Sequence, residues 1–179
     1  VYRERSFLSA FFNRKEKALQ FGRRLHRVVE QVKHRVQKVE RRPNVLWGDI
    51  YEQTPVIESS DTWMAEFVEI AGGNYMTKQM HVGFHQALSL EAFYGLGKDC
   101  DILFSYRMPD SSVRSKADMM RIQPLLSDIR PLNRGRVILN RRRLHQSMDS
   151  LDAILLEMAA ILHPEIFGKP DYRYFYELR

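Results

Sequence analysis

Cysteine is almost absent from this chain of 179 residues: the one thiol, Cys100, excludes an internal disulfide and any cysteine-built metal site, yet leaves the compartment open. No apolar run approaches the roughly 18 residues that a membrane span needs. The common enzyme signatures are missing too, since neither GxGxxG, a P-loop, GxSxG nor HExxH occurs. The chain opens on Val1 in helical sequence, without an initiator Met, a signal segment or a lipidation cysteine, and so reads as a piece of something longer. What remains, with 44% hydrophobic and 28% charged residues, is the composition of an ordinary globular domain.

The formal charge of +6 invites a nucleic-acid reading, so its distribution matters more than its size. Residues 1–42 hold 13 Lys/Arg and four Asp/Glu, a net of +9, whereas the rest hold 15 and 18, a net of −3. The basic segment is also periodic. Phe7, Phe11, Ala18, Phe21, Leu25, Val28, Val32, Val36 and Val39 recur mostly three or four apart, which predicts one long amphipathic helix ending before Arg41-Arg42-Pro43. At 1.5 Å per residue, its roughly 30 residues would span about 45 Å, longer than a small lobe needs. Its cations alternate with an apolar stripe, as on a solvated strut, and no nucleic-acid partner is expected.

After Pro43 short apolar runs alternate with helical stretches. Asn44–Gly48 reads as a strand opening into a polar loop from Asp49 to Ser59; Ser60-Asp61-Thr62 then caps a helix that stops at Gly72-Gly73. A helix over Leu88–Tyr94 precedes the clearest strand, Asp101–Tyr106, apolar on both faces as a buried parallel strand is. Short helices at Ser111–Met120 and Pro124–Ile129, a strand at Arg136–Leu139 and a helix from Ser150 to Leu162 complete the pattern. The fold class is therefore α/β: a single Rossmann-like lobe, residues 43–179 with its core in 44–167, whose parallel sheet is flanked by helices and preceded by a linker helix in residues 1–42.

Ligands of an open parallel sheet sit beyond the carboxyl ends of its strands. There the sequence places Trp47, Asp49 and Tyr51, then Tyr106 and Arg107, then Arg141, a mixture of aromatic and hydrogen-bonding groups suited to a large, partly apolar and anionic ligand. Each has a second reading. Trp47 is equally an ordinary core tryptophan, Arg107 pairs with either a structural carboxylate or a ligand anion, and the Arg141-Arg142-Arg143 run is mainly solvated surface. His81 and His85 have the i, i+4 spacing of a helical metal pair, but Gly83 weakens a helix there and no glutamate completes the motif, so no metal ligand is assigned. A small α/β enzyme using a nucleotide is the alternative function, and it lacks a glycine-rich phosphate loop, WGDIYEQ offering one Gly only.

Three stretches in order, SFLSAFFNRKEKALQFGRRL at 6–25, SSDTWMAEFVEIAGGNYM at 59–76 and SLDAILLEMAAILHPEIFG at 150–168, resemble the carboxy-terminal half of the iron-siderophore, haem and cobalamin binding proteins of ABC importers. The resemblance implies an extracytoplasmic, non-enzymatic protein, peripheral to the membrane, that grips a chelated metal between two lobes joined by a rigid helix. It implies an ABC permease and its ATPase as partners, and no cofactor beyond that ligand. By position before the double glycine, Glu66 resembles the family's acidic permease-docking residue, its other reading being a solvated surface glutamate. The family's amino-terminal lobe, which supplies half the cleft, has no counterpart in these residues.

Overall fold

A computed structural model describes residues 15–179 apart from Val82 and Ser111. The first described element, α1 (Lys15–Val36), carries the buried series Leu25, Val28, Val32 and Val36 on one face. The part of the expected strut before Lys15 lies outside the described residues. The helix ends three residues short of the predicted Val39, in a turn where the Val39 amide donates to the Val36 carbonyl and Pro43 lies ahead.

The strands are β1 (Asn44–Tyr51), β2 (Thr54–Glu58), β3 (Asn74–Tyr75), β4 (His85–Ala87), β5 (Ile102–Ser105), β6 (Arg136–Asn140) and β7 (Phe175–Glu177). They pair in the order β4-β2-β1-β5-β6-β7, with β3 alongside the start of β1. The centre is parallel, as predicted: β1 with β5 and β5 with β6. The edges are not, since β2, β4 and β7 all run antiparallel to their neighbours. The sheet is thus mixed rather than parallel throughout.

The stretch expected to be a polar loop, Asp49–Ser59, is mostly a hairpin. Gly48 pairs with Ile57 and Tyr51 with Thr54, and Glu52 takes a positive φ of 56° at the turn. Gln123 Nε2 holds that turn by donating to the carbonyls of Ile50 and Glu52.

Strand pleating sends alternate residues to opposite faces, and two cores form accordingly. Val45, Trp47, Phe104 and Ile138 face α1, α2 (Trp63–Ile70) and α7 (Leu151–Leu162); Leu46, Ile50, Leu103 and Val137 face α3 (Leu90–Asp99) and α4 (Lys116–Ile122). The short helices α5 (Arg130–Asn133), α6 (Arg142–Gln146) and α8 (Pro164–Phe167) complete the set. Among the described residues no helix is long and apolar enough to cross a membrane.

α1 is bolted to this body at its middle and at its carboxyl end. Arg24 pairs with Asp152 at 2.7 Å and donates to the Asp149 carbonyl, and the Arg35 guanidinium lies 4.2 Å from the centre of the Phe167 ring. Gly72, after α2, is a tight point of the assembly. It has φ 84°, a Cβ there would meet Val36 and the His163 ring at 2.9 Å, and its carbonyl lies 3.1 Å from His163 Nε2. Gly72→Ala is therefore expected to destabilise the lobe by about 1–2 kcal/mol through backbone strain and crowding, read as a lower urea midpoint at unchanged slope.

Candidate functional site

The carboxyl ends of β1 and β5 are joined by a buried polar knot. Asp49, with no exposed surface, accepts from Ser105 Oγ at 2.5 Å and from the Ile50 amide at 2.7 Å. Arg107 closes on it: Nη2 donates to Oδ1 at 3.2 Å and to the Ile50 carbonyl at 3.0 Å, while Nε stands 2.9 Å from Oδ2 as an ion pair out of hydrogen-bond alignment. Burial pushes the Asp49 carboxyl above its ordinary range, and the Arg107 charge, the Ser105 hydroxyl and the Ile50 amide pull it part of the way back.

Beside the knot lies a second buried carboxylate. Glu58 at the end of β2 has a side chain only 1% exposed, and its Oε2 accepts from the Tyr106 hydroxyl at 2.7 Å. His85 of β4 sits across from it, with Nδ1 3.2 Å from the same oxygen and 3.3 Å from the Tyr106 hydroxyl, and the His85 and Tyr106 rings meet edge to face at 5.2 Å. Burial raises the Glu58 carboxyl, with the Tyr106 hydrogen bond and His85 opposing it. Tyr106 is pushed far up by burial and by the Glu58 charge, so its hydroxyl keeps its proton and donates.

Tyr51 and Tyr106 give these carboxyl ends an aromatic surface: Tyr51 is 44% exposed, with the Arg107 guanidinium 5.8 Å from its ring centre, and Tyr106 is half-buried. Phe84, 79% exposed, stands apart at the start of β4, where the register sets His85 opposite Glu58, at the other end of the hairpin from Tyr51. Met108, beyond Arg107, is also exposed. A surface of that kind offers stacking and apolar contact with little net charge.

The sequence-based expectations divide accordingly. Tyr51, Tyr106 and Arg107 come together at the carboxyl end of the sheet, as expected. Trp47 does not join them: it has no exposed surface, stacks on Phe104 at 4.7 Å and belongs to the core, because its place one row below the strand end points it at α7. Asp49 is likewise no ligand contact, being buried under Arg107. Arg107 takes the structural-carboxylate alternative.

Arg141 is spent elsewhere, its Nε donating to the carbonyls of Tyr172 and Phe175 and so fastening β7. Arg142 and Arg143 are exposed. Glu66, in the first turn of α2, is exposed with no side-chain partner among the described residues, whereas Glu69 one turn later accepts from the Tyr75 amide. His81 and His85 share no helix. His81 contacts Asp61 at 2.8 Å and Ser60 at 3.0 Å, and His85 lies in β4.

Sequence reasoning missed Glu58, Phe84 and Ser105. The first was findable, since Pro55 and Ile57 against Val56 and Glu58 is a period-2 pattern that puts Glu58 on the face of Asp49. A nucleotide site is disfavoured by the same geometry: Gly48 lies inside β1 opposite Ile57, and β1 turns into a hairpin instead of leading a glycine loop to a helix N-terminus.

The described residues thus form an α/β lobe with a parallel centre, helices on both faces and an exposed Tyr51 at the carboxyl end of β1. The chain belongs to the periplasmic binding protein family, whose model matches residues 8–144. Its fold is similar to an ABC transporter substrate-binding protein from Listeria monocytogenes EGD-e, with a TM-score of 0.71 at 22% identity over 90% of this chain and 63% of that one. It is similar also to a periplasmic heme binding protein from Pseudomonas aeruginosa (TM-score 0.69, 16% identity, 99% and 64%). A third structure, S. aureus IsdE complexed with heme, compares at a TM-score of 0.65 and 16% identity (90% and 63%). The chain spans less than two thirds of the length of each. No curated protein matches it.

The knot and the wall differ in what they hold up. Asp49→Asn leaves the Arg107 cation facing a neutral amide in a buried setting, and is expected to cost on the order of 3 kcal/mol. Tyr51→Ala, at the exposed rim, should shift stability by no more than about 0.5 kcal/mol. Chemical denaturation of the two variants side by side checks the contrast, and equal losses would contradict it.

Proposed function

We propose that this chain is one lobe of an extracytoplasmic substrate-binding protein of an ABC importer, that its cargo is a chelated metal (a ferric siderophore, haem or cobalamin), and that it delivers this cargo to the permease and its ATPase. The observation that carries the reading is the exposed aromatic wall at the carboxyl ends of β1 and β5. Family membership supports the binding role, and solved structures of the same fold include a periplasmic heme binding protein and IsdE complexed with heme.

Physically, the wall favours the face of a large apolar or π-rich ligand. Tyr51 and Tyr106 supply area at little conformational cost, because aromatic side chains have few rotors to freeze. The charge of Arg107 is largely answered by Asp49, so the lobe is poorer in free cations at this face than its arginines suggest. It therefore suits a chelate of low net charge better than a polycarboxylate. Glu66 is the docking residue in this reading: an exposed carboxylate on a capped helix, with no side-chain partner among the described residues, can meet a permease arginine.

Two measurements on the full-length protein test the proposal. Tyr51→Ala should weaken capture of at least one of hemin, a ferric siderophore or cobalamin by roughly tenfold, since loss of an anchoring aromatic costs on the order of 1–2 kcal/mol, and no binding of any of the three would sink the reading. Glu66→Ala should leave capture unchanged and reduce transport in reconstituted vesicles; unchanged transport would remove Glu66 from the docking surface.

A further inference from the structure

A second concentration of charge lies at the opposite end of the sheet from Tyr51 and Arg107. Where β5 and β6 begin, a cavity of about 360 Å³ opens between the turn that follows α1, the short helix α5 and the end of α7. Four arginines line it, Arg41, Arg130, Arg134 and Arg136, against two carboxylates, Asp101 and Glu165. It shares no residue with the knot, the aromatic surface or Glu66.

The charges of this cavity are unequally answered. Asp101 is 16% exposed, and its Oδ1 lies 3.0 Å from Nη2 of both Arg41 and Arg130. Its Oδ2 accepts from the Asn44 amide at 2.9 Å. One carboxylate, both of its oxygens occupied, therefore faces two guanidiniums. Arg136 is answered separately: Nε and Nη2 donate to the two oxygens of Glu177 at 2.6 and 2.9 Å, and Nη1 donates to the Ile161 carbonyl. Arg134, at the carboxyl cap of α5, is exposed and has no side-chain partner among the described residues. Glu165 is 63% exposed and turns Oε1 to His163 Nδ1 at 3.2 Å, so its charge is largely screened by solvent. Arg41, Arg130 and Arg134 thus stand in excess over Asp101.

We propose that this cavity binds a phosphate group. A guanidinium carries five N–H donors in a planar fork, and Arg41 and Arg130 each meet Asp101 through Nη2 alone, which leaves their other donors for a ligand. A phosphate accepts from several such forks at once and supplies the negative charge that one carboxylate does not. Apolar lining is confined to Pro43, Ile102 and Leu162, so recognition falls on a compact, charge-dense group rather than on an organic body.

Free phosphate and the headgroup of an anionic lipid share this chemistry. Lys38 and Arg42, exposed on the turn beside Arg41 and offset there by Glu40, extend the positive rim outward, as an approach to an anionic surface requires. The basic character of residues 1–42, which the binding role leaves unused, ends at this rim.

The full-length protein titrated calorimetrically with inorganic phosphate should show one saturable site. Arg134→Ala, which removes no internal side-chain contact among the described residues, should weaken it at least about tenfold. Arg134→Lys keeps the charge without the fork and should fall between. Arg142→Ala, an exposed arginine beyond the carboxyl end of β6, should leave binding unchanged.

Co-sedimentation with vesicles of phosphatidylcholine, alone or mixed with phosphatidylglycerol, separates the two sources. Capture by the mixture only, reduced in Arg134→Ala, assigns the phosphate to a headgroup; phosphate binding without vesicle capture assigns it to the free anion. Failure to bind either overturns the inference. So does an equal loss in Arg134→Ala and Arg142→Ala, the mark of unspecific surface charge, or no loss in Arg134→Ala at all.

Discussion

The ion pair between Asp49 and Arg107 is the constraint on which the functional face depends. A carboxylate with no exposed surface is tolerated only because a guanidinium, a hydroxyl and an amide converge on it. Meeting that demand ties the end of β1 to the exit of β5 and brings Tyr106 and Arg107 out beside Tyr51. It also decides the electrostatics. The arginine that would otherwise be free at the strand ends is turned inward, so what they leave exposed is aromatic surface, Tyr51 above all.

The parts of this arrangement that are local in sequence were legible there. Leu25, Val28, Val32 and Val36 announced the helix face that packs on α7, Thr62 announced the start of α2, and the unbroken apolar run 102–104 announced a central parallel strand. What was not legible depended on partners distant in the chain. Pro55 and the polar residues around it disguised β2, because proline is tolerated at the opening of a strand, here ahead of the residues that pair with β4, and the pattern is half polar. β7 has three residues, too few for any periodicity, and is held by Arg141 and by the Arg136–Glu177 pair.

The site residues show the same division. Tyr51 and Tyr106 were legible because a strand's end is a local property. The fates of Trp47 and Arg107 were not, since each turned on a neighbour that only folding supplies: Phe104 for the indole, Asp49 for the guanidinium. His85 was visible only as half of a helical pair with His81. Its actual partner lies 27 positions earlier in the chain, and cross-strand register, not sequence spacing, brings it to Glu58.

Rigidity links these local facts to the proposed role. α1 is fastened near Arg24 and near Arg35, and Gly72 lets Val36 and His163 close on the end of α2 without space for a methyl group. The exposed aromatic surface is built on β1 and the exit of β5, elements fixed by sheet hydrogen bonds and by the buried Asp49 carboxylate. Such a surface gains little from reshaping around a ligand, so on the proposed reading its selectivity comes from groups already in place. That favours cargo recognised by a flat aromatic face, which is present before the ligand arrives and does not require Arg107 to leave Asp49.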